Sequence, residues 1–472
     1  MRCVAICASL GAAALLAACA SMAPRYERPP LAVPERFAAA QAEPAASGPL
    51  AADIDWRQVF VDPRQRRLIE LALQNNRDLR VAALNVEQAQ ARAQIQGASL
   101  WPTVAAGVSA SRQDTATGTT LKSYSAGVLV TAYELDFFGR LRSLSEAAQA
   151  QVVAAEQGRR ATYLSLVAAV AATHLALLAD DEQLTLTQET LDTRVESLRL
   201  IQLRYDNGTL SELDLQTARS VVSSARAALA ALQRQRALDE NTLVLLVGAP
   251  LPADLPAGAA TLAEMGAFPV LPVGLPSSVL QRRPDILAAE QQLIAANFNI
   301  GAARAAFFPQ VTVTATAGTI SNEFSGLFKS GSWGWSVAPQ LVQTLFDSGR
   351  NAAGSRLAEA SRDTALAQYD KTVQTAFREV ADALSGRDTL NEQARALQEQ
   401  SQAETIRLRL ADLRYRNGVA SSLDLLDAQR SLFAVQQLAV LANLAQAQNQ
   451  VSLYKALGGG WSEATAATAK AP

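Results

Sequence analysis

The chain has 472 residues, of which 49% are hydrophobic, with a formal net charge of −2 and a single histidine. This size provides ample apolar material for a large core, and the balanced charge excludes the basic surface typical of nucleic-acid-binding proteins. The sequence has no phosphate loop and no metal-spaced His/Cys cluster, so we predict no catalytic residue, no bound metal and no enzymatic activity.

The N-terminus has the features of a bacterial lipoprotein signal over residues 1–18. A basic start and a short apolar stretch lead to Leu-Ala-Ala-Cys, the lipobox pattern, which ends at Cys19. We predict that Cys19 carries a covalent lipid, the only cofactor expected, and that Ala20 after it directs the protein to the outer membrane. The alternative is an ordinary signal peptide with a bystander cysteine.

Residues 19–63 are rich in Pro and Ala and aperiodic, which predicts an extended, lipid-anchored strap. The first repeat, 64–247, opens with a helical pattern and continues with a strand pair over 103–136. Weak alternation over about 9–11 residues is typical of a tilted transmembrane β-strand. A soluble hairpin is the alternative interpretation of this pair.

A very long helix is predicted over residues 140–205, which contain no proline and one glycine. Apolar residues recur every seven positions from Tyr163 to Tyr205, so the helix should supercoil against its neighbours. At 1.5 Å per residue it would span about 100 Å. A tip at 206–210, a returning helix over 211–246 and a Pro/Gly-rich connector at 248–276 follow.

The sequence is internally duplicated with an offset of 210 residues. Residues 203–220 return at 413–430 with ten of the eighteen positions identical, and a fixed period dictates architecture. The second repeat, 277–457, is predicted to contain a helix, a strand pair over 310–346, a long helix over 350–415, a tip at 416–420 and a helix over 421–457, before a flexible tail at 458–472.

Each copy of this motif predicts the tip of a helical hairpin. An Asn-Gly pair tolerates positive φ and lets the helix stop and turn, and a serine three residues after the glycine is a typical N-cap. These residues are Asn207, Gly208 and Ser211 in the first copy and Asn417, Gly418 and Ser421 in the second.

Four strands cannot close a transmembrane barrel, because the smallest bacterial examples have eight. An open sheet edge in lipid is excluded, since each unpaired backbone group costs several kcal/mol there. Two chains would give eight strands with a filled interior, whereas three would give twelve strands with room for a passage. We predict a homotrimer with cyclic symmetry.

Motifs spread over the whole mature chain resemble the outer-membrane factors of tripartite efflux systems, the TolC-like family, in its NodT/OprM-type lipoprotein branch. The motifs are the lipobox, YELDFFGR at 133–140, RRPDI at 282–286, RYRNGVASSLDLLDAQRSLF at 414–433 and VSLYKALGGGW at 451–461.

The resemblance implies a membrane α+β protein: a trimeric twelve-stranded transmembrane β-barrel, four strands per protomer, continued by a long α-helical barrel through the periplasm. It also implies passive export of small toxic compounds or drugs. The partners would be a periplasmic adaptor (membrane fusion) protein, an inner-membrane pump of the RND type and outer-membrane lipid, with no nucleic acid. The alternatives are a type I secretion channel for a protein substrate and a periplasmic coiled-coil structural or adaptor lipoprotein.

In this family an iris of tip helices closes the periplasmic end with acidic and apolar rings. Ala420 stands where TolC-like members carry an arginine, so the contacts that keep the gate closed are expected to differ in detail. A carboxylate that only complements the helix dipole is the alternative role for the two aspartates after the second tip. The gate residues implied are Leu423, Asp424, Asp427, Arg430, Tyr415, Asp214 and Tyr205; the residues implied to contact the adaptor are Asn207, Gly208, Ser211, Asn417, Gly418 and Ser421.

Overall fold

The computed structural model describes residues 21–37, 51–114, 118, 120–265 and 277–459. The predicted signal, Cys19, parts of the strap and connector, and all but the first two residues of the tail lie outside the described residues. The chain divides into two compact units. One comprises Met1–Pro30, Ala83–Gln157 and Leu287–Thr372, and the other Leu31–Ala82, Gly158–Ile286 and Val373–Pro472.

From the helix directly before each pair of strands onward, the described α-helices and strands follow one another in the same order in both halves of the chain. In the first half they are α1 (Trp56–Val59), α2 (Pro63–Asn75), α3 (Arg77–Ala98), β1 (Val104–Asp114), β2 (Thr120–Leu135), α4 (Arg140–Asp206) and α5 (Glu212–Val247). In the second half they are α6 (Pro284–Ala305), β3 (Gln310–Ser321), β4 (Trp333–Val342), α7 (Arg350–Arg416) and α8 (Ser422–Ala456).

The two long helices, α4 and α7, are each 67 residues long. Both begin at an arginine that follows a glycine with positive φ, Gly139 and Gly349. They stop one residue later than the sequence pattern indicates, directly before the Asn-Gly turns. Of the described helices, α4 alone contains a stretch that is apolar and long enough to cross a membrane, and 56% of that stretch is buried inside the chain. This burial is typical of a core helix.

The C-terminal ends of α2 and α5 contact each other closely. Asn75 is the last residue of α2, and the Asn76 amide donates to the carbonyl of Leu246 at 2.9 Å. Gly248 ends α5 with φ of 73°. A Cβ at Gly248 would lie 2.6 Å from the Asn75 carbonyl oxygen, so only glycine fits between these two helix ends.

The four strands form one antiparallel sheet in the order β1-β2-β3-β4. β1 and β4 are therefore its edges. The register between β2 and β3 shifts between Val130 and Tyr133, where Ala132 has φ of 48°. This β-bulge reverses the side-chain phase after Val130, which explains why the alternation in the sequence is blurred at Tyr133.

β4 ends at Val342, although the strand pattern extends to residue 346. The side-chain amide of Gln343 donates to the carbonyls of Phe307 and Thr344, both at 3.1 Å. Leu345 and Phe346 follow outside the sheet and are among the most exposed apolar side chains of the chain. The prediction of a strand up to residue 346 was therefore wrong for residues 343–346, whose apolar side chains are exposed outside the sheet.

Strap residues 21–28 lie along α6 in the direction opposite to the helix. Gly301 leaves no room for a side chain against Ala23, and the Asn297 amide donates to the Pro24 carbonyl at 2.6 Å. The Arg28 guanidinium binds both carboxylate oxygens of Glu290, at 2.6 and 2.7 Å. Glu290 is only 4% exposed, so this bidentate pair fixes the strap to the helix.

The RRPD sequence builds an ionic network around one buried arginine at the start of α6, with carboxylate partners that are 37% and 36% exposed. Arg283 is buried and donates to the Asp285 carboxylate at 3.1 and 2.7 Å. It also reaches Glu379 on α7 at 2.8 Å and the carbonyl of Ala456 at the end of α8 at 2.8 Å. One side chain thus links the beginning of the second repeat to both α7 and α8.

Candidate functional site

The two faces of the sheet differ: one is apolar, and the other, which we call the polar face, carries hydroxyl groups and glycines together with the exposed Leu121, Ile320 and Val342. Directly paired residues of antiparallel strands place their side chains on the same side, and hydroxyl contacts between Ser109 and Ser125 and between Thr316 and Ser336 mark the polar side. The other face carries large apolar side chains that are exposed: Val104, Val108, Val128, Trp333, Trp335, Val337 and Leu341. An exposed apolar face on one side of a sheet is what lipid contact requires.

A row of four glycines crosses the polar face. Gly107 pairs with Gly127, Gly127 with Gly318, and Gly318 with Gly334, so every strand contributes one glycine at the same height. A groove of about 320 Å³ lies at this row. A Cβ at Gly318 would collide with the Ala126 carbonyl oxygen, whereas one at Gly334 would meet nothing within 4 Å. Strands β2 and β3 therefore approach more closely here than side chains allow.

The two hairpin tips have the same geometry. Gly208 and Gly418 adopt φ of 72° and 73°, in the left-handed region. Ser211 and Ser421 each form a capping box with an aspartate three residues on. The six residues with an implied adaptor role are all exposed, namely Asn207, Gly208, Ser211, Asn417, Gly418 and Ser421.

Asp214 connects the first tip to the second. One of its carboxylate oxygens accepts from the Ser211 hydroxyl at 2.6 Å, and the other accepts from the Ser422 hydroxyl at 2.6 Å. The hydrogen bonds from Ser211 and Ser422 lower the pKa of Asp214. Beside this link, Tyr205 packs on an apolar cluster that includes Leu426 of α8. Asp214 and Tyr205 therefore hold the tips of one chain together.

Asp427 bridges α7 and α8 at the second tip. The Arg407 guanidinium donates to one carboxylate oxygen at 2.6 Å and the Arg430 guanidinium to the other at 2.7 Å. The hydrogen bond from Arg407, followed by that from Arg430, lowers the pKa of the Asp427 carboxyl. Within one chain this aspartate is thus an ionised, doubly paired group.

Sequence reasoning missed Arg407. Arg407 and Asp427 are each ten residues from Asn417, and residues equidistant from a tight turn face each other across a hairpin; this symmetry could have identified the pair. In the first repeat the corresponding positions are Ser197 and Thr217. The ionic contact across a hairpin tip is accordingly a property of the second repeat.

The other implied gate residues have different surroundings. Asp424 accepts from the backbone N–H and hydroxyl of Ser421, at 3.1 and 2.9 Å, so its carboxylate caps its own helix. Leu423 is exposed. The Tyr415 ring lies under the Arg204 guanidinium, 4.8 Å from its centroid. The described residues contain no group of three or more His, Cys, Asp or Glu side chains that could hold a metal ion.

The sequence matches the family described as outer membrane efflux protein over residues 68–249 and 275–459. The antibiotic efflux pump outer membrane protein ArpC of Pseudomonas putida is 43% identical over 468 residues, which cover 97% of this chain and 96% of the relative. The toluene efflux pump outer membrane protein TtgC of Pseudomonas putida has the same identity and coverage. The open-state MtrE outer membrane channel of Neisseria gonorrhoeae is 40% identical, with a TM-score of 0.85 over 93% of this chain and 98% of that channel.

Proposed function

Because the chain belongs to the outer membrane efflux protein family and is the outer-membrane channel of an efflux pump, we propose that three copies assemble into one conduit for small toxic compounds. The observation that carries the assembly is the sheet, which has two edge strands and one exposed apolar face. Edges in lipid must be paired, and three sheets of four strands close a barrel wide enough for passage.

The substrates proposed are organic solvents and antibiotics. The names of two relatives that align over nearly their whole length state toluene and antibiotic efflux, which supports small molecules over a secreted protein. The polar inner face of the sheet, with its glycine row and serine and threonine hydroxyls, has no large side chain at that height to block such compounds.

The proposed partners are a periplasmic adaptor and an inner-membrane pump of the RND type. The exposed tip residues Asn207, Gly208, Ser211, Asn417, Gly418 and Ser421 are the proposed adaptor contacts. Their backbone turns and caps are satisfied within the chain, so a docked adaptor would meet a preformed surface.

We also propose that Cys19 is lipidated and that the strap carries this anchor. The clamp of Arg28 on Glu290 and the packing of Ala23 on Gly301 hold the strap against the unit that contains the sheet. The lipid would be the only covalent group, with no cofactor and no catalytic residue. The proposed domains are those predicted from the sequence, with the ends of the strands and helices as the structure gives them.

The assembly is tested on purified mature protein in detergent. Light scattering after size-exclusion chromatography should give the protein mass of three chains, and insertion into a planar bilayer should give discrete conductance steps. A single-chain mass in detergent, or a protein that stays soluble without it, would contradict the proposal.

We propose that the Arg407–Asp427 contact is one lock of the periplasmic gate, with Leu423, Asp424, Arg430, Tyr415, Asp214 and Tyr205 around it. Arg407→Ala is expected to raise the mean single-channel conductance several-fold, because the contact between α7 and α8 is lost in all three chains at once. Planar-bilayer recording measures the change.

The matched control is Asp412→Ala, which removes an ion pair with Arg416 that lies within α7 alone. This variant should conduct like the unmodified channel. Equal conductance of the Arg407→Ala and Asp412→Ala channels would show that the contact between Arg407 and Asp427 does not keep the gate closed.

A further inference from the structure

A cluster of charged side chains lies between α4 and α5, away from the hairpin tip. α4 contributes Asp180 and Asp181, and α5 contributes Arg236, Asp239 and Glu240. Asp180 is 5% exposed. This cluster at the interface of the first hairpin therefore contains four carboxyl groups and one guanidinium.

The guanidinium is already committed to two of these carboxylates. Arg236 donates from Nε to Asp181 at 2.6 Å and from Nη1 to Glu240 at 2.9 Å. Neither contact reaches Asp180. A buried carboxylate without a directly paired cation is unfavourable, and protonation relieves that cost.

The second carboxyl group beside Asp180 is Asp239. No N–H or O–H group of the described residues donates to the Asp180 Oδ2 atom. Two carboxyl groups can hydrogen-bond to each other only when one of them holds a proton. Burial raises the pKa of Asp180, the hydrogen bond and charge of Asp239 and the charge of Asp181 raise it further, and Arg236 opposes them, which gives a pKa of about 7.

The internal duplication supplies a comparison within the same molecule. With the offset of 210 residues, all five charged positions become neutral in the second repeat. The contact between α7 and α8 is made there by amides, since Gln446 donates to Asn391 at 2.5 Å and Asn449 donates to the Ala383 carbonyl at 2.9 Å. The five equivalent residues are Leu390, Asn391, Gln446, Asn449 and Gln450.

We propose that Asp180 and Asp239 form a proton-operated latch between α4 and α5, which holds the first hairpin closed while the pair shares a proton and loosens it when both are ionised. The second hairpin, with neutral residues at the equivalent positions, lacks the groups for such a latch. Alkaline surroundings therefore loosen one hairpin of the channel and leave the other unchanged.

The direction in which pH changes the stability of the first hairpin follows from proton linkage. The pKa of Asp180 in the folded chain is about 7, above its ordinary value of 3.8. The folded state thus binds the proton more tightly than the unfolded state does. The stabilisation is complete below about pH 4, declines as the pH rises, and is lost above about pH 7.

Amide hydrogen exchange at pH 6 and pH 8, corrected for the chemical exchange rate, tests the latch on the assembled channel. Residues 176–184 and 235–243 are expected to open about tenfold more readily at pH 8, given one linked proton with a pKa near 7. The equivalent residues 386–394 and 445–453 should show no such change. Equal behaviour of the two hairpins would overturn the proposal.

Two variants separate the latch from a general effect of pH. Asp180→Asn donates a hydrogen bond to Asp239 without needing a proton, so the difference between pH 6 and pH 8 should disappear. Asp192→Asn, at an exposed position of the same helix, should retain it. If Asp180→Asn kept the difference in exchange between pH 6 and pH 8, the latch would be refuted. If that variant fails to assemble, the comparison of the two hairpins in the unmodified protein decides between the two outcomes.

Discussion

Replacing Gly318 with valine is expected to abolish most of the assembled channel. The new Cβ would overlap the carbonyl oxygen of Ala126 and lie 2.5 Å from the Gly127 Cα, so β2 and β3 could no longer approach each other at the glycine row. A clash with backbone cannot be relieved by a rotamer change, and the strands would have to separate. In lipid the exposed backbone groups would then lack partners.

The amount of heat-sensitive trimer in outer membranes, seen on gels of unboiled samples, measures this effect. We expect at least a roughly tenfold loss for Gly318→Val. The matched control is Gly334→Val in the same row, where a Cβ meets nothing within 4 Å. Equal trimer levels for the two variants would show that the close approach of β2 and β3 is not required.

Arg283→Met should give the second large effect, on the stability of the helical part. The substitution leaves the Asp285 and Glu379 carboxylates and the Ala456 carbonyl without their shared donor. Losing the hydrogen bonds of a buried guanidinium costs about 1.5–3 kcal/mol, and the upper end is not expected because the Asp285 and Glu379 side chains are 37% and 36% exposed and can rehydrate. The thermal unfolding midpoint of the detergent-solubilised protein should fall by several degrees.

The neighbouring Arg282 provides the control. It pairs with Asp53 at 2.7 Å, and both side chains are about half exposed. An exposed pair contributes little, so Arg282→Met should change stability by no more than about 0.5 kcal/mol. A similar drop for both variants would mean that loss of positive charge, and not the contacts of the buried Arg283 guanidinium, sets the stability.

The proposed gate residues illustrate how far sequence reasoning extends. Asp427 is identifiable because the tip motif of the second repeat carries it, and its helix follows from the capping serine at 421. Arg407 was missed, since its importance depends on which residue faces it across the hairpin. Asp424 was placed with Asp427 in one acidic group, yet its carboxylate binds Ser421 and only Asp427 reaches a second helix.

The sheet gives the same lesson. Strand positions follow from alternation, a local property, but the residue that pairs with each glycine depends on the register of three strand pairs, and β2 and β3 are distant in the chain. The end of β4 at Val342 could not be predicted from the sequence either, because the apolar residues that follow could belong either to a strand or to an exposed segment.

Local patterns in the chain were sufficient for the duplication, the helices and their turns, the four strands and the family, because periodicity, caps and motifs act over a few neighbouring residues. The folded chain was needed to show that Asp180 lies beside Asp239 while Arg236 binds Asp181. It was also needed to show that the four glycines lie in one row across the sheet. Burial, charge pairing and register depend on residues distant in the chain, and no local pattern encodes them.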